Sequence, residues 1–380
     1  MRLFFTTALI AGLAASPAMA VDPASDTEIA KVVADHIGRM VPAKGPGGIA
    51  AAVRIGGRSL FFNYGVADTR RKQPVTSDSL FNLGSLAKTF DSVLLAQAVL
   101  QKELSLDEPV ATYVTELQEG GDIRHVTFGQ LASHTSGFAL PQDNPPWPRR
   151  FFTLPQFIAD LNRWKPDRRH KPGKKVIYSH AGYMLLHLAL ERRFGTPFGQ
   201  LMEERLLKPL GLSSTTMPVA SADPKGNPRG EIPPSLAGRA VQGYSSEGER
   251  RGPPAELQGF YLWLGTGQMY ASASDMAVYL VANLGELPDN RLLQEAMQLT
   301  HQRVVPIKPG TDQAMAWEVQ IGGNPHIVDK YGGLGNASAY IGMMTDRKLG
   351  IVLLGNRADL DLEAAGRAII RKLAGSGPRH

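Results

Sequence analysis

Strand-like segments stand at the two ends of this 380-residue chain, and helix-like segments fill its middle. Near the start, residues 49–55 and 59–64 read as two strands joined at Gly56-Gly57, a pair suited to a tight hairpin turn. Near the end, residues 337–345 and 349–354 form a second strand pair. We therefore expect strands from distant parts of the chain to share one sheet.

The middle of the chain has a different character. Helical periodicity, with Pro- or Gly-bearing connectors between the segments, predicts five helices there, at residues 86–102, 127–133, 154–164, 182–194 and 197–206. One more helix is predicted after the last strand pair, at residues 361–373. The pattern predicts an α/β (α+β) fold, an antiparallel sheet flanked by helices with an inserted all-α lobe. Residues 21–78 and 220–380 would form the discontinuous α/β lobe and residues 79–219 the inserted lobe.

The first twenty residues read as a signal peptide. Arg2 precedes an apolar run, and Ala18-Met19-Ala20 supplies a small-residue cleavage site, which predicts removal of residues 1–20. Because the apolar run is too short for a permanent anchor, no integral membrane segment is expected after cleavage. We expect a periplasmic or secreted protein.

Composition narrows the chemistry. The chain has no cysteine, which excludes thiolate catalysis and cysteine-based metal sites, so core packing must supply its stability. Its formal charge of +6 comes with basic clusters, yet aromatic residues do not interleave with them as a nucleic-acid platform requires. We expect no nucleic-acid partner, while attraction of anionic substrates stays open.

A serine and a lysine three residues apart, Ser85 and Lys88, open the predicted helix 86–102. Positions three apart share a helical face, so the Lys88 amine can reach the Ser85 hydroxyl. A serine nucleophile needs such a neighbour to take its proton, and a helix start directs free N–H groups at developing charge. Taken alone, the pair favours the simpler interpretation of an N-capping serine beside a solvated lysine.

Two further motifs follow in order. The first is Tyr178-Ser179-His180, ahead of an apolar helix, and the second is Lys330-Tyr331-Gly332-Gly333, ahead of the last strand pair. With the segments flanking Ser85, they resemble the serine β-lactamase and penicillin-binding protein superfamily. The chain is most similar to class C (AmpC-type) β-lactamases and their esterase and peptidase relatives.

The resemblance implies a two-step acyl transfer at these motifs. Ser85 would be the acylated nucleophile, with Lys88 and Tyr178 sharing the base role and Lys330 supporting the electrostatics. Two lysine ammoniums, Lys88 and Lys330, would lower the pKa of Tyr178. The backbone N–H groups of Ser85 and Gly333 would form the oxyanion hole. The residues expected to contact substrate are Gln142, His180, Tyr331 and Gly332.

Two positions depart from the family pattern. His180 stands where the family has asparagine, and imidazole cannot copy the hydrogen bonds of an amide. Because histidine ordinarily titrates near neutrality, we expect an unusual pH dependence.

Tyr331 replaces a threonine whose hydroxyl helps bind substrate carboxylates in the family, and Asp361 and Ala364 stand where amide or arginine groups are common. We expect altered carboxylate recognition.

Three functions remain open on the sequence. The resemblance favours β-lactam hydrolysis, with an esterase, D-peptidase or penicillin-binding carboxypeptidase as the rival on the same scaffold. A catalytically poor binding or sensor module, with a decayed site marked by His180 and Tyr331, is the third. No cofactor or metal is expected, since no paired ligand spacing surrounds His180, although zinc bound through His180 is the alternative. We expect a monomer acting on a small-molecule substrate.

Overall fold

The computed structural model describes residues 25–143, 153–222, 228–252, 269–287, 289–323 and 325–375. The predicted signal peptide, residues 1–20, lies outside these ranges. None of the helices within them combines the length and the apolar character of a membrane span.

Within the described residues, nine strands form one antiparallel sheet with the order β3-β2-β1-β13-β12-β11-β10-β9-β8. The remaining strands make two small pairs, β4 with β7 and β5 with β6. The strands are β1 Gly48–Ile55, β2 Arg58–Asp68, β3 Gln73–Pro74, β4 Phe81–Asn82, β5 Val219–Ala222, β6 Pro228–Glu231, β7 Tyr270–Ala271, β8 Val305–Lys308, β9 Thr311–Gln313, β10 Glu318–Gln320, β11 Ile327–Leu334, β12 Ala337–Met344 and β13 Leu349–Gly355.

Helices occupy the middle of the chain and both flanks of the sheet. They are α1 Asp26–Ile37, α2 Lys88–Leu100, α3 Phe128–Ala132, α4 Leu154–Arg163, α5 His180–Phe194, α6 Phe198–Met202, α7 Lys208–Leu210, α8 Pro234–Ala237, α9 Ala273–Asn283, α10 Arg291–Thr300 and α11 Leu362–Gly375. A π-helical turn, Glu203–Leu207, joins α6 to α7. Each predicted helix is present, with boundaries shifted by one to three residues at most ends.

The two predicted strand pairs meet at the centre of the sheet. β1 lies between β2 and β13, with Ala51 opposite Leu353, so the start and the end of the chain are direct neighbours. Because side chains alternate between the faces of a strand, β1 supplies both sides of the core. Ile49 belongs to the core cluster that includes residues of α1 and α11 on one face, and Ala50 belongs to the cluster on the other face, where α9 contacts β1.

These observations confirm the predicted antiparallel sheet flanked by helices. The boundaries of the inserted lobe, residues 79–219, stay a prediction.

A buried ion pair fixes β11 to α11. Asp329 is 1% exposed and accepts hydrogen bonds from Arg367 Nε at 2.5 Å and Arg367 Nη2 at 3.0 Å. The Tyr340 hydroxyl donates a third bond to the same carboxylate at 3.0 Å. A buried charge is tolerated only when paired and hydrogen-bonded in this way. The network holds the strand that carries the next residue, Lys330.

Candidate active site

Ser85 lies in a short 3₁₀ turn, Gly84–Ala87, directly before α2. The sequence placed it at the start of the helix, and the helix proper begins at Lys88. Gly84 has φ of +53°, a conformation that favours glycine, and its N–H donates to Asn82 Oδ1 at 2.9 Å. Ser85 is the one partly exposed residue of a turn that is otherwise buried.

Two side chains from different parts of the chain meet at the Ser85 hydroxyl. Lys88 Nζ lies 3.2 Å from Ser85 Oγ, and the Tyr178 hydroxyl lies 2.5 Å from the same oxygen. Lys88 is fully buried, whereas Tyr178, in the segment before α5, is 41% exposed. The structure therefore gives the serine two immediate partners for proton exchange.

The third motif completes this cluster. Lys330 lies in the middle of β11, is 6% exposed, and places its Nζ 5.1 Å from the centre of the Tyr178 ring. Lys88 Nζ lies 5.2 Å from the centre of the same ring. The fold thus brings Ser85, Lys88, Tyr178 and Lys330 together, as the sequence predicted.

Strand β11 runs directly along the nucleophile turn. A methyl group on Gly332 would overlap the Leu83 carbonyl and lie 3.1 Å from the backbone nitrogen of Ser85. A methyl group on Gly84 would lie 3.0 Å from the backbone nitrogen of Gly333. Glycine at these two positions lets the two backbones approach closely. The oxyanion hole of Ser85 and Gly333 stays a prediction, and this close approach is what it requires.

Tyr331 lies on the other side of β11 from Lys330 and Gly332, because side chains alternate along a strand. Its hydroxyl folds back over Gly333, where it fills the space that a side chain at position 333 would take. Burial raises the pKa of Tyr331, and so do the negative charges of Asp359, Glu363 and Asp361. Three carboxylates therefore act on the phenol, which is 37% exposed, and one of them, Glu363, is paired with Arg367.

Burial separates the pKa values of the two candidate bases, Lys88 and Tyr178. It lowers the pKa of Lys88 to about 7, while the charges of Asp91 and Asp143 oppose that change. It raises the pKa of Tyr178 above its ordinary value, and the Lys330 charge only partly offsets the rise. Because 41% of Tyr178 stays exposed, water moderates this effect without reversing its direction. The expectation that two lysines lower the pKa of Tyr178 was wrong in its net direction.

His180 is the first residue of α5, whose N-cap is Ser179. Its ring meets the Tyr178 ring edge-on, with centres 5.3 Å apart. Burial, with the charges of Lys88 and Lys330, lowers the pKa of His180 to about 3. The expectation that His180 titrates near neutrality was therefore wrong, and the ring is neutral throughout the physiological range.

A metal at His180 was the alternative left open by the sequence. Among the residues that the structure describes, His180 belongs to no group of three or more His, Cys, Asp or Glu side chains placed to hold an ion. The absence of a cofactor stays a prediction.

Gln142 lies beside the site and is 5% exposed. Its Nε2 donates to Asp160 Oδ2 at 2.9 Å, so the amide is engaged by the protein itself. Its role in substrate binding stays a prediction, and residues 144–152, which follow closely, lie outside the described ranges. The neighbouring Asp143 supports the start of α5, since its Oδ1 accepts from Ser179 Oγ and from the Ala181 N–H, both at 3.0 Å.

Sequence reasoning missed three residues around the cluster. Asp143 accepts a hydrogen bond from the Ala181 N–H in the first turn of α5, and His134 packs against the Tyr178 ring with ring centres 4.3 Å apart. Asp91, one turn after Lys88 on α2, is 1% exposed and lies 3.0 Å from His187 Nε2. The segment Ser133-His134-Thr135-Ser136-Gly137 resembles a loop of the family, but that resemblance gave the histidine no role. Asp91 carried a signal in its spacing, since an acid three residues after the lysine shares its helical face. The other two are brought to the site by tertiary packing.

Comparison with known proteins identifies the family of the chain. The family model described as beta-lactamase matches residues 33–375. The chain is 27% identical to a beta-lactamase of Pseudomonas fluorescens over 363 residues, covering 87% of this chain and 94% of the relative. It is 28% identical to a beta-lactamase of Escherichia coli K12, covering 82% of this chain and 84% of the relative.

Solved structures share the fold. A class C beta-lactamase superposes with a TM-score of 0.77 at 25% identity, covering 93% of this chain and 98% of that one. The D-alanine carboxypeptidase AmpC from Burkholderia cenocepacia superposes with a TM-score of 0.76 at 23% identity, covering 92% and 100%. Fold and site define a serine hydrolase of the β-lactamase and transpeptidase architecture. The chain belongs to the beta-lactamase family.

Proposed function

We propose that this protein hydrolyses β-lactams through an acyl-enzyme formed on Ser85. The observation that carries the proposal is the convergence of Lys88 Nζ and the Tyr178 hydroxyl on Ser85 Oγ, at 3.2 and 2.5 Å. Family membership and the class C structural relatives support the same activity. A lysine with a pKa of about 7 is poised to accept a proton at neutral pH.

Acylation follows from these positions. Ser85 Oγ attacks the lactam carbonyl carbon while neutral Lys88 takes the hydroxyl proton, and the Ser85 and Gly333 N–H groups stabilise the oxyanion. The ring C–N bond then breaks, and the leaving nitrogen takes a proton from the Tyr178 hydroxyl. The proton held by Lys88 restores the phenol. Lys330 supplies positive charge beside the Tyr178 ring during these steps.

Deacylation reverses the roles. Water attacks the carbonyl carbon of the Ser85 ester, and its proton passes to the Lys88 and Tyr178 pair. Breaking the ester C–O bond returns that proton to Ser85 Oγ and releases the acid. The overall reaction adds one water molecule to the lactam and leaves the protein unchanged.

A second candidate is hydrolysis of esters or D-peptides at the same serine. The observation that favours it is that three carboxylates, Asp359, Asp361 and Glu363, act on Tyr331. Family members bind the substrate carboxylate at this position with polar or cationic groups, whereas carboxylates here repel an anion. Neutral esters avoid that repulsion.

The deciding experiment is intact-mass spectrometry of the mature protein with a penicillin, a cephalosporin, a carbapenem and a neutral p-nitrophenyl ester, while absorbance is followed. Ser85→Ala is the matched control. Catalytic loss of lactam absorbance that requires Ser85 supports the first function. A stable lactam adduct on Ser85 without turnover, with ester hydrolysis, supports the second. If no reagent adds to Ser85, both are wrong.

Three further expectations are also proposals: the location, the monomeric state and the absence of a metal. The predicted signal peptide supports a periplasmic or secreted location, and sizing of the purified protein would test the expectation of a monomer. A chelator titration of the activity would test the expectation that no metal takes part.

A further inference from the structure

His134 holds an unusual position beside the site. It follows the short helix α3, is 1% exposed, and has φ of +55°, a left-handed conformation that costs energy for a residue with a side chain. Such a conformation persists only where surrounding contacts impose it. His134 contacts the Tyr183 ring, with centres 5.0 Å apart, and it also contacts the segment that carries Tyr178.

His134 contacts three consecutive residues of the segment that carries Tyr178. The Ile177 N–H donates to the His134 carbonyl oxygen at 2.8 Å. The Ser179 N–H donates to His134 Nδ1 at 3.2 Å. Between these bonds, the imidazole packs on the Tyr178 ring with centres 4.3 Å apart and planes inclined by 32°. The backbone on each side of Tyr178, and the ring itself, are therefore fixed by His134.

The hydrogen bond to Nδ1 defines the state of the imidazole. A ring nitrogen that accepts a hydrogen bond is unprotonated, so the other nitrogen, Nε2, carries the proton. Burial, with the charges of Lys330 and Lys88, holds the pKa of His134 well below its usual value. His134 thus stays neutral where the enzyme works, and the contact with Ser179 persists throughout that range.

Tyr178 needs such support. It is 41% exposed, and residues 165–175 ahead of it lie mostly at the surface. On its other side, Asp143 holds Ser179 and Ala181. Two side chains, Asp143 and His134, therefore hold the segment that places the Tyr178 hydroxyl 2.5 Å from Ser85 Oγ, and of these two His134 contacts the phenol ring.

We propose that His134 is a positioning residue that holds the Tyr178 hydroxyl on Ser85. The inference rests on the proposed function, in which Tyr178 exchanges a proton during acylation at Ser85. It assigns His134 no proton transfer of its own. Displacement of a catalytic group by about 1 Å costs on the order of 100-fold in rate, so loss of this support should be visible in acylation.

Two substitutions separate the two contacts. His134→Asn keeps an acceptor near Nδ1, tolerates the left-handed conformation and loses the ring contact. His134→Phe keeps an aromatic ring and loses the acceptor. We expect each to lower the acylation rate constant about 10- to 100-fold, with little change in the apparent binding constant. Rates are measured with the β-lactam or ester that acylates the wild type, per titratable Ser85.

The decisive measurement is a double-mutant cycle with Tyr178→Phe. If His134 acts through the Tyr178 hydroxyl, either His134 substitution should slow the Tyr178→Phe protein no further. Equal slowing in both backgrounds would show that His134 supports only the fold, and would overturn the proposal. His301→Asn is the matched control, because His301 also bonds internally, to Asn283 at 3.0 Å, and should leave acylation unchanged.

The cycle also distinguishes this inference from the proposed function. If Tyr178→Phe acylates as fast as the wild type, the role of Tyr178 itself is wrong. If Tyr178→Phe is slow while both His134 variants match the wild type, only the positioning role is wrong. Should one His134 variant fail to fold, the other completes the cycle, since each removes one of the two contacts.

Discussion

Lys88 and Tyr178 approach the same oxygen atom, yet burial moves their pKa values in opposite directions. The pKa of Lys88 falls to about 7, and that of Tyr178 rises above its usual value. Pairs of groups whose environments separate their pKa values in this way have divided acid and base roles. Within the proposed function, this separation favours Lys88 as the base that activates Ser85 and Tyr178 as the proton donor.

This assignment predicts the pH dependence of acylation. The reaction needs neutral Lys88, so kcat/KM should rise with pH through about 7 and stay level to about pH 10, where Tyr178 is still protonated. Lys88→Arg cannot be deprotonated and should lower acylation by at least about 100-fold. Stopped-flow acylation over this pH range gives the answer. A plateau extending well below pH 6 would show that Lys88 is not the base.

His180→Asn tests the departure from the family pattern. Because the pKa of His180 is about 3, the ring does not titrate where acylation does. We expect the substitution to change kcat/KM through its different hydrogen bonds. The pH at which kcat/KM falls to half its plateau value on the acid side, the midpoint of the acid limb, should stay the same. The same pH series measures both quantities. A midpoint displaced by a full pH unit would mean that His180 carries or releases a proton in the working range.

Asp91→Asn should move that midpoint instead. The Asp91 charge, one helical turn from Lys88, raises the pKa of the amine, so its removal should lower the pKa further. The acid limb should then shift toward lower pH, by up to about one unit. The other titratable groups around Lys88 and Asp91 remain unchanged in this variant. They are His134, Asp143, Tyr178, His180, Tyr183, His187 and Lys330.

Asp275→Asn is the control for this comparison. Asp275, in α9, is also buried, but its carboxylate accepts hydrogen bonds from the Ser214 N–H and the Thr215 hydroxyl. We expect the acid limb of Asp275→Asn to coincide with that of the wild type. An Asp91→Asn limb that stays in place, or moves to higher pH, would contradict the electrostatic role given to Asp91.

Arg367→Met should destabilise the fold. It leaves the Asp329 carboxylate, 1% exposed, without its cationic partner, and breaking one side of a buried pair costs about 3–5 kcal/mol. Urea unfolding, followed by tryptophan fluorescence, measures the loss. Arg291→Met removes an exposed helix pair with Glu295 and should change stability by less than about 0.5 kcal/mol. Equal losses in both variants would mean that the Asp329 network is dispensable.

Sequence patterns were sufficient for four neighbouring strands of the sheet, for six helices and for the pairing of Ser85 with Lys88. Ser85 and Lys88 are close in sequence, so spacing alone brings them together, and the resemblance supplied Tyr178 and Lys330. The pKa values were not accessible, because they depend on burial that spacing does not express. For the same reason His180 was expected to titrate near neutrality, and His134 and Asp143 went unassigned although they hold the Tyr178 segment.

The central position of β1 beside β13 has a consequence for folding. The Gly48 N–H bonds Asn356 Oδ1 across 308 positions of sequence, and contacts so distant make folding slow. The low pKa of Lys88 is produced by burial, so before the sheet closes its amine keeps an ordinary value near 10.5 and remains charged. A partly folded chain would thus carry an unreactive serine, and the onset of acylation would report the burial of Lys88.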